Sequence, residues 1–285
     1  MLSPGLVVLL QHGCYNLRCP SIASEEACVH GHDYLSRYET TDVTLDIHHC
    51  PVHMTKIADL EVLLEAVDPV TFAEDERLPY WAELWPSSVA LARYAMQHLD
   101  LRHRQVLELG CGLGLVSVVA ALQGARVLCT DYEPDALGFA RHNARCNASR
   151  GVRFRLVDWR QPALRRRYDY ILASDVIYEA RNFGPLVTLL QRFLARGGTA
   201  VFSEPGRPNA IPFFALLRQR GFRHQQSFYP VEWDGHHQIA IYTIRHRTAP
   251  AVTTRQPSQH QISMPSPLPL PSEQHEGSLG HAHTR

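Results

Sequence analysis

The chain has 285 residues and a single lysine, Lys56; its other 27 basic residues are arginines. A Walker phosphate loop requires Gly-Lys-Ser/Thr. Lys56 follows Thr55 with no glycine loop, so that class is excluded. A pyridoxal aldimine would have to form on Lys56, which argues against that cofactor. An excess of charge of either sign is also missing. Basic and acidic residues number 28 each, and nucleic-acid binding needs a concentrated basic surface. The triple arginine at 165–167 reads as a solvated turn. No apolar run approaches the ~20 residues that cross a bilayer. The stretch from Leu6 to Leu10 is too short, and too poor in basic flanks, for a signal peptide.

The seven cysteines, at 14, 19, 28, 50, 111, 129 and 146, are odd in number and scattered. A reduced, cytoplasmic protein is expected rather than a disulfide scaffold. Residues 14–53 also hold His30, His32, His48, His49 and His53, but no C-x2-C pair, so no metal site is expected.

Three zones follow from composition. Residues 1–36 lack periodicity and read as a poorly ordered extension. Residues 37–247 carry regular patterns. Residues 248–285 hold six prolines and five serines with little to bury, so a disordered tail is expected.

In the central zone short apolar runs alternate with helical patterns. Strands are expected at Gln105–Leu109, Arg126–Thr130, Val152–Val157, Tyr168–Ser174 and Thr199–Ser203. Helices are expected near 114–123, 134–147, 183–195 and 210–220. This alternation predicts an α/β fold, a parallel sheet with helices on both faces. Two last runs, near 222–229 and 237–245, have no helix between them. The polar connection containing Asp234-Gly235 predicts an antiparallel hairpin. Upstream, 37–66 alternates weakly and suggests a small strand or hairpin. Residues 79–99 read as an approach loop and a helix begun by Pro86 and Ser87.

The chemistry concentrates after the first strand of the sheet. Glu108-Leu-Gly110-Cys111-Gly112-Leu-Gly114 is a strand running through three glycines into a helix. Such a loop lets backbone approach a ligand beside free N–H groups. A dinucleotide fingerprint is G-x-G-x-x-G; here the third glycine comes one residue early. Glu108 would repel a pyrophosphate and suit a cationic ligand. Asp131, 17 residues after Gly114, ends the second strand where a carboxylate can hold a ribose diol. Asp158-Trp159 follows the third strand and fits an adenine pocket.

The E-x-G-x-G-x-G pattern with Asp131 resembles the class I, seven-stranded S-adenosylmethionine (SAM) methyltransferases, over about residues 76–245. Pro79-Tyr-Trp81-Ala-Glu-Leu-Trp85-Pro-Ser and Ser174-Asp175-Val-Ile-Tyr178 sharpen this to a resemblance to methyltransferase family 16. That family includes protein-lysine methyltransferases, among them those acting on chaperones and on the electron-transfer flavoprotein β subunit. The resemblance implies a Rossmann-like sheet with a C-terminal antiparallel hairpin, and SAM as cofactor with S-adenosylhomocysteine as product. It implies cofactor contacts at Trp85, Glu108, Gly110, Cys111, Gly112, Gly114, Asp131, Asp158, Trp159 and Ser174. The D-x-x-Y signature falls on Asp175 and Tyr178 as the catalytic pair. Trp81 is expected to pack rather than to touch cofactor. Glu204-Pro205-Gly206-Arg207-Pro208 is either a rigid turn or part of the acceptor site. His236 and His237 are expected at the surface.

The expected activity is SAM-dependent N-methylation of a protein lysine, by a monomer, without metal, nucleic acid or membrane. Two alternatives stay open: a small-molecule N- or O-methyltransferase, and a non-catalytic SAM-fold module. A nucleic-acid amine methyltransferase would be expected to carry [DN]-P-P-[YFW] where this chain has Ser-Asp-Val-Ile.

Overall fold

The computed structural model describes residues 35–65, 67 and 78–247. The expectations for residues 1–34 and for the proline-rich tail lie outside the described residues, as do Cys14, Cys19, Cys28, His30 and His32.

A β-hairpin comes first: β1 (Thr40–Ile47) pairs antiparallel with β2 (Cys50–Ile57). His48 and His49 form its turn with φ of 54° and 64°. That is the doubly left-handed geometry whose twist suits a two-residue hairpin. A short helix, α1 (Leu60–Glu65), follows. The seven-stranded sheet then alternates with helices: α2 (Pro86–His98), β3 (Gln105–Leu109), α3 (Leu115–Leu122), β4 (Arg126–Asp131), α4 (Pro134–Cys146), β5 (Val152–Leu156), β6 (Tyr168–Ser174), α5 (Phe183–Phe193), β7 (Leu194–Glu204), α6 (Ile211–Gln219), β8 (Phe222–Glu232) and β9 (His236–His246). The spatial order is β5-β4-β3-β6-β7-β9-β8. Only β9 runs against the rest; it pairs antiparallel with both β7 and β8.

The sheet buries both faces by strict alternation. Val106, Leu172, Val201 and Ile241 face one core, built with α2, α3 and the β1–β2 hairpin. Leu107, Ile171, Phe202 and Tyr242 face the other, filled by Phe183, Leu186, Leu190 and Phe213 of α5 and α6. Each fully buried side chain of this size stabilises by ~1.5–3 kcal/mol. The hairpin is held on α4 by two buried asparagines one helical turn apart. Asn143 Oδ1 accepts from Thr55 N at 2.8 Å, and Asn147 Oδ1 accepts from His53 N at 2.9 Å. Their amides donate back to the Thr55 and His53 carbonyls at 3.1 and 2.6 Å. Residues i and i+4 of a helix thereby meet alternate residues of a strand.

The expected helices and strands are present, with two corrections. The terminal hairpin is longer than its apolar runs: pairing continues to Glu232↔His236, so the connection is three residues rather than the whole stretch between 229 and 237. Ladder hydrogen bonds need only backbone, so polar rim residues continue them. The strand expected at Thr199–Ser203 begins at Leu194, directly after α5, and pairs with Tyr168 before a bulge.

Gly114 caps α3 with φ 84°. A Cβ there would stand 2.7 Å from Ala140 Cβ on α4, so α3 and α4 meet only because the side chain is missing. Gly114→Ala is expected to cost about 2–4 kcal/mol from overpacking and left-handed strain. Urea unfolding of the variant against the parent measures it, and an unchanged midpoint would contradict this packing account.

Candidate active site

Parallel register sets the location. Leu109 pairs with Thr130 on one side and Ala173 on the other. Gly110, Asp131 and Ser174 therefore leave the sheet at one edge. Strand order reverses between β3 and β6, and in open α/β sheets ligands bind in that crevice beyond the carboxyl ends. A cavity of about 500 Å³ opens there, within the range of small-molecule sites.

Ten of the twelve residues expected at the site line this cavity: Trp85, Gly110, Cys111, Gly112, Gly114, Asp131, Trp159, Ser174, Asp175 and Tyr178. Glu108 and Asp158 do not. Glu108 lies under the glycine loop, 1% exposed, where its carboxyl accepts a hydrogen bond from Ser117 Oγ on α3. Strand alternation aims it beneath the loop. Asp158 turns away to its own loop. Its carboxylate accepts from Arg160 N at 2.8 Å and from Arg160 Nε at 2.8 and 3.0 Å.

Asp131 ties the loop to the sheet. Oδ2 accepts from Gly112 N at 2.9 Å and Oδ1 from Glu133 N at 3.0 Å. Burial pushes its carboxyl above the ordinary value, and these N–H groups pull it back. The Tyr132 N–H and the Cys111 thiol also act on this carboxyl, which lines the cavity. Gly112 has φ 50°, and a Cβ there would lie 3.1 Å from the Trp81 carbonyl oxygen. The approach loop crosses directly over the glycine loop at this point. Trp81 thus does two things. Its ring packs with Tyr38 and Phe139, centroids 6.0 and 5.5 Å away, and the residue also lines the cavity.

The approach loop is clamped from three directions. Trp85 Nε1 donates to the Tyr80 carbonyl at 2.7 Å. Trp233 Nε1, from the β8–β9 turn, donates to the Leu84 carbonyl at 2.7 Å. Lys56 Nζ meets Glu83 Oε2 at 2.5 Å. On the far wall Trp159 Nε1 donates to Asn182 Oδ1 at 3.3 Å. Tyr178 stands edge-to-face with Tyr80, centroids 6.2 Å apart, and burial pushes its phenol well above the ordinary value.

Asp175 leaves β6 with φ 55°, a left-handed conformation that is strained for a non-glycine residue. Its carboxylate accepts a two-pronged ion pair from Arg207: Nη1 on Oδ1, and Nη2 on Oδ2 at 3.2 Å. Glu204 makes that pair possible. It is buried, accepts from Gly206 N and Arg207 N at 2.8 and 2.7 Å, and accepts from Tyr242 Oη at 3.1 Å. Glu204 therefore shapes the turn while Arg207 reaches the cavity. The sequence left the 204–208 stretch open between a rigid turn and part of the acceptor site, without singling out Arg207; it missed Tyr132 and Glu133, which line the cavity beside Asp131. The position of Tyr132 and Glu133 at a strand carboxyl end was the available signal. A second cavity of about 580 Å³ adjoins the first and shares Glu83, Leu84, Trp85, Asp175 and Arg207 with it. His237 lines this second cavity, and His236 lines neither. Among the described residues no group of three or more His, Cys, Asp or Glu could hold a metal ion.

Burial raises the Glu108 carboxyl from 4.5 to about 8. The folded state then keeps a proton that the unfolded state gives up, so this group's stabilising share is complete below about pH 4.5 and declines as pH climbs towards 8. Glu108→Gln keeps an acceptor for Ser117 and cannot ionise. Its melting temperature in ligand-free protein is expected to gain on the parent steadily from about pH 5 to about pH 8. Parallel pH profiles would refute the buried-acid assignment.

Comparison with known proteins agrees with this geometry. A family model described as lysine methyltransferase, methyltransferase family 16, matches residues 65–219, more than half of the chain. EEF1A lysine methyltransferase 3 of Mus musculus is 32% identical over 183 residues, covering 61% of this chain and 77% of that protein. Protein N-lysine methyltransferase METTL21A of Danio rerio is 37% identical over 171 residues, covering 56% and 77%. The electron transfer flavoprotein beta subunit lysine methyltransferase of Rattus norvegicus is 32% identical over 136 residues, covering 46% and 52%. Among solved structures, the N-methyltransferase NodS from Bradyrhizobium japonicum, in complex with S-adenosyl-L-homocysteine, has a TM-score of 0.49 at 17% identity, covering 66% of this chain and 96% of that one. With the family model spanning the glycine loop, Asp131 and the D-x-x-Y turn, the chain belongs to methyltransferase family 16, the lysine methyltransferases, and is a SAM-dependent methyltransferase.

Proposed function

We propose that this chain methylates the ε-amine of a lysine in a partner protein, with the cofactor held at the glycine loop and the acceptor presented at Asp175. One observation carries the reading: the glycine loop, Asp131 and the D-x-x-Y turn wall a single cavity, and Asp175 sits where it meets the second one. The residues suit SAM. Gly112 leaves backbone exposed where a side chain would strike Trp81. Asp131 lines the cavity at the carboxyl end of β4, where a carboxylate can meet ribose hydroxyls, and Trp159 and Trp85 add flat apolar surface to the lining. Ser174, Cys111 and Gly110 complete the backbone cradle. Glu108 supports the loop from beneath. Asp158 is assigned no contact, because Arg160 engages its carboxylate.

When bound, SAM supplies a methyl group made electrophilic by a positively charged sulfur. The chain's task is alignment and exclusion of water, which can lower a barrier by several kcal/mol. A lysine ammonium, with a free pKa of ~10.4, must lose a proton before it can react. Asp175 accepts a hydrogen bond from that nitrogen and aims it. Tyr178, edge-on to Tyr80, walls the amine's approach. A carboxylate alone favours the ammonium, so Asp175 is assigned positioning rather than proton removal.

The domain boundaries follow: a methyltransferase domain over 37–247, an extension before it and a proline-rich tail after it. We place the protein in the cytoplasm and treat it as a monomer. Among the described residues no helix is long and apolar enough to cross a membrane. Cys111 and Cys129 are free and buried, in keeping with a reducing compartment. Cys146 is disulfide-bonded, which weighs the other way; cell fractionation decides between them.

Asp175→Asn is expected to bind SAM as the parent does and to transfer methyl at least tenfold more slowly, each tenfold being about 1.4 kcal/mol of barrier. Asp131→Ala is expected to lose SAM affinity instead. Calorimetry with SAM, and tritium transfer into a cell extract with the label located by mass spectrometry, separate the two. Label outside lysine would end the lysine reading, and near-parental turnover by Asp175→Asn would end its catalytic assignment. Deleting 248–285 is expected to leave the melting temperature and SAM affinity unchanged; a loss of several degrees would place the tail on the domain.

A further inference from the structure

The Arg207–Asp175 pair is not explained by cofactor binding or by folding alone. Arg207 could have remained in solvent, and its turn is already shaped by the Glu204 carboxylate beneath it. Instead its guanidinium forks onto the one carboxylate of the D-x-x-Y turn. A second link ties the same two strand ends: Asn209 Nδ2 donates to the Tyr178 carbonyl at 2.9 Å. Both Asp175 and Arg207 line both cavities. The pair therefore stands at the boundary that an acceptor amine must reach.

A protein-lysine methyltransferase faces a conflict at this point. A carboxylate that grips the acceptor nitrogen also stabilises its charged, unreactive form. A positive charge beside the carboxylate removes that penalty and leaves the hydrogen-bond acceptor in place.

We propose that Arg207 is a positioning residue for methyl transfer: by forking onto Asp175 it holds the carboxylate at the junction of the two cavities and offsets its charge, so that a gripped lysine still gives up its proton. The inference rests on the reading of Asp175 as the acceptor-side carboxylate. In the step concerned the ammonium N–H bond breaks, the proton passes to solvent water, and nitrogen keeps the electron pair for the incoming methyl carbon.

Other charges face the junction, and none replaces Arg207. Glu204 lies on the same turn, with both carboxylate oxygens engaged. Lys56 on β2 is spent on Glu83 of the approach loop, so that pair is neutral as a unit. Asp234 and His237 line the second cavity from the β8–β9 turn, and His237 Nε2 lies 2.9 Å from the Asp234 carbonyl oxygen. Asp131 and Glu179 act on Tyr178, and both add negative charge.

Loss of Arg207 should raise the pKa of the bound acceptor. A neighbouring charge moves a pKa by ~1–3 units, and Arg207 is partly exposed, so about one unit is expected after solvent screening. The test uses the full-length protein, tritiated SAM and a desalted cell extract, with methyl incorporation followed from about pH 7 to about pH 10. Arg207→Gln is expected to transfer methyl about tenfold more slowly at neutral pH and to recover towards the parental rate as pH rises. Arg207→Lys, which restores the charge but cannot fork, is expected to keep the parental pH dependence at a rate between those of Arg207→Gln and the parent. Melting temperature and S-adenosylhomocysteine affinity, read by calorimetry, are expected to stay unchanged in both variants. A fall in rate by one factor at every pH, a loss of S-adenosylhomocysteine affinity, or no change at all would overturn the proposal. If Arg207→Gln behaves in one of those ways while Asp175→Asn is inactive, only the role of Arg207 fails. If Asp175→Asn transfers methyl like the parent, or the parent labels no protein, the acceptor reading fails and takes the proposal with it.

Discussion

The whole site depends on the register of β3 between β4 and β6. Leu109 pairs with Thr130 and Ala173, and Ser174 pairs with Ser203. Four strands therefore end at one level, and the segments that leave them meet over a single crevice. A one-residue slip would turn every side chain of a strand to the opposite face. The alternation of Val106 and Leu107 into separate cores forbids that slip, because each face is filled by different helices. Hydrophobic burial, spent on the two cores, thus also sets the positions of polar groups at the rim.

At that rim four acidic residues have four different fates, each decided by its surroundings. Glu108, at the penultimate position of β3, points under the loop; burial keeps its proton on it up to about pH 8. Asp131 meets two backbone N–H groups and binds the glycine loop to β4. Glu204 meets two more and a tyrosine hydroxyl, and shapes the turn after β7. Asp175 meets a guanidinium and stays at the cavity wall. The chemistry is the same in all four. Dielectric surroundings and hydrogen-bond donors separate a structural acid, a loop tether, a turn former and a carboxylate at the cavity wall.

The segment before the sheet closes the crevice. Trp81 and Trp85 belong to a loop with little regular structure of its own, and it is held by groups far away in the chain. Lys56 reaches it from β2 and Trp233 from the final hairpin. The hairpin in turn hangs on Asn143 and Asn147 of α4. The only lysine of the chain is used in this clamp, at the edge of the second cavity rather than at the cofactor loop.

The sheet, its helices and the glycine loop were legible because they are local patterns: period-two apolar runs, amphipathic helices, three glycines at a strand end and a D-x-x-Y turn. Asp131 was legible because a strand's carboxyl end is a place that the pattern itself marks. The extent of the terminal hairpin was not, since its outer pairs are polar and pair through backbone. Glu108 and Asp158 were expected at the ligand; Glu108 lies beneath the glycine loop and Asp158 lines a small neighbouring cavity that shares Tyr132, Trp159 and Tyr178 with the main one, because the spacing of a motif does not say which way a side chain points or which arginine is beside it. Trp81 looked like packing and is also wall, because a residue's two faces are resolved only when its neighbours are in place. Arg207 stood in sequence within a stretch read as either a turn or part of the acceptor site, 32 positions after Asp175. The sequence by itself determined which segments become strands and helices and where the glycine loop begins. The tertiary structure alone decided which charges meet, because ion pairs and buried acids depend on distance and burial between segments that no spacing along the chain records.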